Sequence, residues 1–366
     1  MVRAIQKKKQ KVLVAVSGGV DSAVAAQLLK NQGHEVVGVF MHFWKDDQLK
    51  AAENSCCSLE SWSDAQLVCQ RIGIPLYALN FVQEFKRQVV DNFLQAYQSG
   101  QTPNPCVLCN KKVKLGLLVK YARKIGFDFV ASGHYVRRLA VADGYQLWRA
   151  ADLSKDQSYF LYQLDQRDLA CLQFPIGDFQ KTEIRRLAEE FNLPVAHKAE
   201  SQEICFVGDS LSKFLQRRLQ LQPGPIRDQS GRQLGEHQGL SLYTIGQRRG
   251  VEIGGTGPYY VVRQDVQANT LWVTNKSNDP DLLQDKFFLS YLHWLDAQQP
   301  RRKINCQVVI RYHHQSINCC LSRYHDGWLV ELDIPQRAVT PGQSAVFYDD
   351  QRLLGGGVIA LNDSFC

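Results

Sequence analysis

No stretch of this chain is apolar for long enough to cross a bilayer, which takes about 20 residues in a row, so a membrane span is excluded and a soluble, cytoplasmic protein is expected. Val12 to Val16, behind Lys7, Lys8, Lys9 and Lys11, has the outline of a secretory leader but falls short of the roughly 7–15 apolar residues a leader needs. Internal repeats of solenoid length and low-complexity tracts are lacking too, which excludes arrays and tethers. Also missing is an even, regular set of cysteines. The eleven present are scattered and odd in number, the opposite of a secreted disulfide framework, and reduced thiols are expected.

What is present is an ordinary globular composition of 366 residues, 45% apolar and 22% charged, enough for two or three domains. The formal charge of +7 is compatible with a polyanionic partner. Basic residues cluster at Lys111, Lys112 and Lys114, at Arg137-Arg138, Arg185-Arg186, Arg217-Arg218 and Arg248-Arg249, and at Arg301, Arg302 and Lys303. Each cluster alone reads as solvated surface; together they suit a long folded anion such as tRNA.

Hydrophobic periodicity predicts a strand over 11–16, a glycine turn over 17–22, a helix over 22–31 and a strand over 35–41. Further helices are expected over 64–72, 85–97, 112–125 and 181–192, with strands over 76–80 and 127–132. Strands alternating with helices imply an α/β fold built on a doubly wound parallel sheet. After about residue 210, proline and glycine punctuation replaces helical periodicity. From about 275 the segments 306–312, 327–332, 344–348 and 357–361 read as strands of a small β-barrel. The expected division is therefore an α/β domain over 1–210, a small central domain over 211–275 and a barrel over 276–366.

Ser17-Gly18-Gly19-Val20-Asp21-Ser22 lies where a strand hands over to a helix, so glycines allow a tight turn and backbone N–H groups face an anion. A kinase-type phosphate loop needs Lys followed by Ser or Thr at the end of this turn. Here Asp21 and Ser22 stand there, which disfavours γ-phosphoryl transfer. The stretch, with Ala15 and Val16 leading into it, resembles the pyrophosphate loop of the N-type ATP pyrophosphatases. Those enzymes split ATP between the α- and β-phosphates and have the adenine nucleotide alpha hydrolase-like fold. The resemblance implies ATP and Mg²⁺, with Asp21 helping to position the metal and Ser22 bonding a phosphate oxygen. It also implies that Gly133, in Ala-Ser-Gly-His134-Tyr, admits the nucleotide. Met41 either borders the adenine or packs in the core. His134 reads as a structural hydrogen-bonder rather than a base.

Asn104-Pro105-Cys106-Val-Leu-Cys109-Asn110 puts two thiols before a basic helix, where the helix start, Lys111 and Lys112 are expected to acidify a thiol and make a nucleophile. The same spacing can bind zinc or an iron–sulfur cluster, but no second pair at matching spacing completes four ligands, and adjacent Cys56 and Cys57 suit a shared site poorly. Cys205, in Ser201-Gln-Glu-Ile-Cys205-Phe206, is by itself either a buried core thiol or a functional one.

In this order, Ser17 to Ser22, Asn104 to Asn110, Lys155-Asp156-Gln157, Ser201 to Phe206, Leu240 to Gly250 and Arg311-Tyr312 closely resemble the tRNA-specific 2-thiouridylase family, over nearly the whole chain. The resemblance implies that Cys205 carries sulfur as a persulfide and that Cys109 is the second catalytic thiol, releasing the sulfur or pairing with Cys205. It implies that Asn104, Pro105 and Cys106 contact the target uridine of the anticodon loop. Lys155, Asp156 and Gln157, and Arg311 with Tyr312, would be further tRNA contacts. Many relatives carry Asp where this chain has Cys106, so no general-base role is carried over to that place. A persulfide sulfur-donor protein or a cysteine desulfurase is the implied partner, the enzyme acting as a monomer on tRNA; the cysteine spacing gives no reason to expect a zinc or cluster site.

Two other readings stand beside it. A ligase or amidotransferase with the same loop would use an amine nucleophile and need neither Cys109 nor Cys205. A metal-stabilised RNA-binding protein would hold zinc at Cys106 and Cys109 and release no pyrophosphate.

Overall fold

A computed structural model describes residues 9–44, 58–199, 204–208, 210–251, 253–254, 257–296 and 303–360. Lys7, Lys8, Cys56, Cys57, Ser201, Gln202, Glu203, Arg301 and Arg302 lie outside the described residues. The chain divides into two compact units, one of Met1–Gln88, Cys106–Gly208 and Gln351–Leu353, the other of Val89–Pro105, Asp209–Asp350 and Leu354–Cys366.

The first unit contains β1 (Lys11–Ala15), β2 (Glu35–His42), β3 (Leu76–Asn80), β4 (Phe129–Ser132), β5 (Val136–Val141), β6 (Gly144–Arg149) and β7 (Leu172–Gln173). Five of these form a sheet in the order β3-β2-β1-β4-β7, every neighbour parallel. Parallel strands need both faces covered, and Val12 and Val14 of β1 are accordingly fully buried, packed with Ala25 and Ala26 of helix α1 (Val20–Asn31) and with Val68 and Ile72 of helix α2 (Leu59–Ile72). Burying side chains of this size contributes on the order of 1.5–3 kcal/mol each. The small residues Ala23, Ala25 and Ala26 are fully buried on α1, which lets its backbone lie close to the sheet. Outside the sheet, β5 and β6 form an antiparallel hairpin, to which Arg352 and Leu353 pair opposite Trp148 and Leu147.

The doubly wound sheet has one topological switch point: β2 and β3 extend from β1 on one side and β4 and β7 on the other. Ligands of such sheets bind outside the carboxyl ends of the strands at that place. The loop after β1 and the turn after β4 meet there.

The second unit holds a four-stranded sheet of β8 (Gly224–Asp228), β9 (Gln233–His237), β10 (Tyr260–Asp265) and β11 (Thr270–Thr274), in the order β10-β11-β8-β9, over Ile226, Val261, Leu271 and Val273. It also holds the expected barrel, made of β12 (Leu283–Trp294), β13 (Ile304–Val309), β14 (Ile317–Tyr324), β15 (Gly327–Arg337), β16 (Ser344–Asp349) and β17 (Arg352–Ile359). Their order is β12-β15-β14-β13-β16-β17, closed by pairing of β12 with β17. Closure brings backbones together at Gly357, where a Cβ would lie 2.3 Å from the carbonyl oxygen of Tyr291. On the barrel wall Cys306 faces Cys319 across β13 and β14, their Sγ atoms 3.7 Å apart. Among the described residues no helix is long and apolar enough to cross a membrane.

Candidate functional site

The site is built first by the turn between β1 and α1. Gly18 has φ +75°, a left-handed conformation, and a Cβ there would lie 2.4 Å from the Ser61 carbonyl oxygen; glycine satisfies both demands. The Ser22 hydroxyl donates to the Gly19 carbonyl oxygen at 3.0 Å and accepts from the Ser17 amide at 3.1 Å, so it ties the loop into shape. Gly19 caps α1 with no side-chain hydrogen bond, which leaves the first-turn N–H groups of a 12-residue helix for an anion. Gly133 follows β4, and its missing side chain serves the loop itself: a Cβ would lie 2.6 Å from the Ser22 nitrogen. The close approach read there for a nucleotide is thus made by the start of α1. Met41, near the end of β2, is buried.

Asp21, in the first turn of α1, is held by two residues distant in sequence. The Lys181 ammonium donates to its two oxygens at 2.7 and 3.0 Å, and the Tyr135 hydroxyl donates to Oδ1 at 2.7 Å.

Cys106 and Cys109 lie on the short helix Pro105–Cys109, and Cys109 runs straight into the π-helical turn Asn110–Lys114. Cys109 therefore lies inside a continuous helical stretch rather than at its start, and burial opposes the expected acidification. Burial pushes the Cys109 thiol well above its ordinary range, and proximity to Cys205 pushes it further, against a lowering by Lys114. The Cys106 thiol is pushed up to about 11 by burial and Cys205. Lys111, expected to help, instead pairs with Asp165 and Asp168 at 2.8 and 2.9 Å, and Lys112 is exposed. Cys106, Cys109 and Cys205 are reduced thiols, half-buried. Beside Cys205, buried Phe206 packs edge-on against Phe85, 5.6 Å between ring centres, and Trp44, 6.4 Å. Among the described residues no group of three or more His, Cys, Asp or Glu side chains is placed to hold a metal ion.

Three family models match the chain: the tRNA methyl transferase HUP domain over residues 10–209, the tRNA methyl transferase PRC-barrel domain over 212–275, and the aminomethyltransferase beta-barrel domain over 284–359. The tRNA-specific 2-thiouridylase of Chloroflexus aggregans is 49% identical over 354 residues, covering 95% of this chain and 98% of that protein. This chain belongs to the tRNA-specific 2-thiouridylase family. The family's proteins from Pseudoalteromonas translucida and Proteus mirabilis are 44% and 43% identical, each covering at least 95% of this chain and 97% of their own length.

The remaining residues singled out on the family resemblance differ in situation. Asp156 is buried, its carboxylate accepting from the Ala150 and Ser158 amides and the Ser158 hydroxyl, with Arg149 at 3.7 Å. Burial holds its pKa above the ordinary value, against those hydrogen bonds. It organises the loop, while Lys155 and Gln157 are half-buried beside it. Gln157 pairs with Tyr135, donating its amide N–H to the Tyr135 carbonyl and accepting the Tyr135 amide N–H on Oε1. His134 is buried against Ser132 at 2.8 Å and kept neutral by desolvation and Lys114. In the second unit, Asn104 is half-buried and Pro105 buried. There Arg311 lines a cavity of about 360 Å³ with His314, Arg337, Gln247 and Thr244. The Tyr312 ring lies tilted by 44° against the neighbouring His313, 3.9 Å between ring centres.

Sequence reading missed the roles of Tyr135 and Lys181, and saw Lys114 only as part of a basic cluster. Tyr135 directly follows the singled-out His134 and was within reach. Lys181 was not, since its partner lies 160 residues away.

Proposed function

We propose that the chain uses ATP to adenylate the C2 oxygen of the wobble uridine, position 34, of tRNA, and replaces that oxygen with sulfur carried on Cys205. The products are 2-thiouridine, AMP and pyrophosphate, making it a tRNA-uridine 2-sulfurtransferase. The observation that carries this reading is the company of an uncapped helix start on a glycine loop, at the switch point of a parallel sheet, with Cys109 and Cys205 near enough to raise the thiol pKa of Cys109.

Carbonyl C2 of uridine has no leaving group until its oxygen is converted to one, which adenylation does. Loop amides of residues 17–22 would stabilise charge on the departing pyrophosphate, the electrostatic task that usually contributes most to catalysis. A Mg²⁺ ion fits the carboxylate of Asp21 and would supply further charge neutralisation there. Asn104, Pro105 and Cys106 would hold the base, and Lys155, Gln157, Arg311 and Tyr312 would bind the RNA. Sulfur from the Cys205 persulfide bonds to C2 as the C2–O bond breaks and AMP departs. Attack of Cys109 on the sulfur–sulfur bond leaves a Cys109–Cys205 disulfide, which a thiol reductant must reopen before a donor persulfide reloads Cys205.

The test is 2-thiouridine in digested tRNA, read by mass spectrometry after incubation with ATP, Mg²⁺ and a sulfur source. Wild type is expected to thiolate, while Cys109→Ser and Cys205→Ser release AMP without thiolating. Full activity of Cys205→Ser would sink the relay and favour an amine nucleophile.

A further inference from the structure

The glycine loop lacks the lysine that kinase-type loops place at their end, yet a lysine is there in space. The Lys181 ammonium sits 2.7 and 3.0 Å from the two oxygens of Asp21. Its backbone is fixed: Lys181 opens the helix Lys181–Glu190, its amide donates to Asp152 at 2.9 Å, and a capping box of Gln180 and Glu183 secures the turn. The flexible stem can therefore re-aim the charge while its root stays put. The ammonium also lies 5.6 Å from the ring centre of Tyr135, whose hydroxyl bonds the same Asp21 oxygen.

The pair is half-buried, the Lys181 side chain 12% and the Asp21 side chain 28% exposed, so it helps to hold the empty loop; yet Asp21 already stands in the favoured first turn of α1, and the ammonium lies beside the helix start where an anion would sit. We infer that Lys181 is a phosphate-binding residue of the nucleotide site: it neutralises Asp21 while the loop is empty and turns to the phosphate oxygens of a nucleoside triphosphate when one binds. The inference rests on the ATP reading above and deepens it, naming the cation that the loop's own sequence omits.

The experiment is calorimetric binding of an α,β-methylene ATP analogue with Mg²⁺, and of AMP, to wild type, Lys181→Met and Lys181→Arg, with melting temperatures for each. The expected result is a tenfold to hundredfold loss of analogue affinity in Lys181→Met, roughly that of one charge-assisted hydrogen bond. AMP binding should change far less, Lys181→Arg should recover part of the loss, and melting should drop only modestly, from loss of the ion pair with Asp21. Equal affinity of Lys181→Met and wild type for the analogue overturns the inference, as does an equal loss for AMP and analogue, which marks a structural role. If wild type binds neither nucleotide, the ATP reading itself fails, a separate outcome read from the wild-type arm alone. Should Lys181→Met not fold, Lys181→Gln is read in the same way.

Discussion

Cys109 shows how one residue's position in an element overrides its neighbours in sequence. Two prolines before and lysines after suggested an acidic thiol at a helix start, but the helix begins at Pro105 and runs on through Cys109 into Asn110–Lys114. Lys111 is spent on Asp165 and Asp168, and burial then raises the thiol. With the pKa raised, the thiolate fraction near pH 7 is small and grows about tenfold per pH unit. Iodoacetamide labelling of Cys106, whose thiol is pushed up to about 11, should therefore climb without a plateau from pH 7 to pH 9. A plateau below pH 8, read by peptide mass spectrometry, would restore the acidic-thiol reading. The Ser17 to Ser22 loop was legible because its six residues are contiguous and their chemistry is local. The clasp on Asp21 was not, because the fold alone brings Tyr135 and Lys181 to it.

At the scale of elements, hydrophobic periodicity located the four strands β1 to β4 and the helical segments between them, since parallel strands read as apolar runs. The hairpin of β5 and β6 escaped, although Asp143-Gly144 marks its turn; exposed Ala140 and Val141 interrupt the pattern there. In the barrel, β12 escaped because it serves two partners. It pairs with β15 through Leu289 and with β17 from Leu289 on, with a register shift after each of Gln284 and Leu289 that breaks the alternation of faces. Leu289 is fully buried at this handover. Leu289→Ala is expected to lower unfolding free energy by about 2–5 kcal/mol. Leu283→Ala, at the 45% exposed start of the same strand, should change it by about 0.5 kcal/mol or less. Urea titration of both variants checks the contrast, and equal midpoints would show that closure does not depend on Leu289.

Over the whole molecule, the net charge of +7 is divided between cations that hold the protein together and cations left for a partner. Arg137 donates to the Arg149 carbonyl and Gln351, Arg138 to the Leu169 carbonyl, and Arg185 to the Ala196 carbonyl. Sequence clusters thus overstate the RNA-facing charge, because a guanidinium that binds a carbonyl looks the same in sequence as one in water. Arg311 makes a longer contact, 3.4 Å, to the Ala338 carbonyl and lines an open cavity. Affinity for tRNA should fall steeply with salt, and Arg311→Ala should weaken binding and flatten the log–log salt slope by about one unit. Filter binding from low to physiological salt measures both, and an unchanged slope removes Arg311 from the phosphate contacts.

The opposed Cys306 and Cys319, 3.7 Å apart on the barrel wall, bear on how any redox measurement of this protein is read. A thiol oxidant added to trap the Cys109–Cys205 bond meets a second pair already in contact. Whole-protein mass would record the same loss of two hydrogens whichever pair had closed. Assigning that loss to the sulfur-transfer cysteines therefore requires digestion and identification of the linked peptides, or a Cys306→Ser background in which the bystander pair is silent.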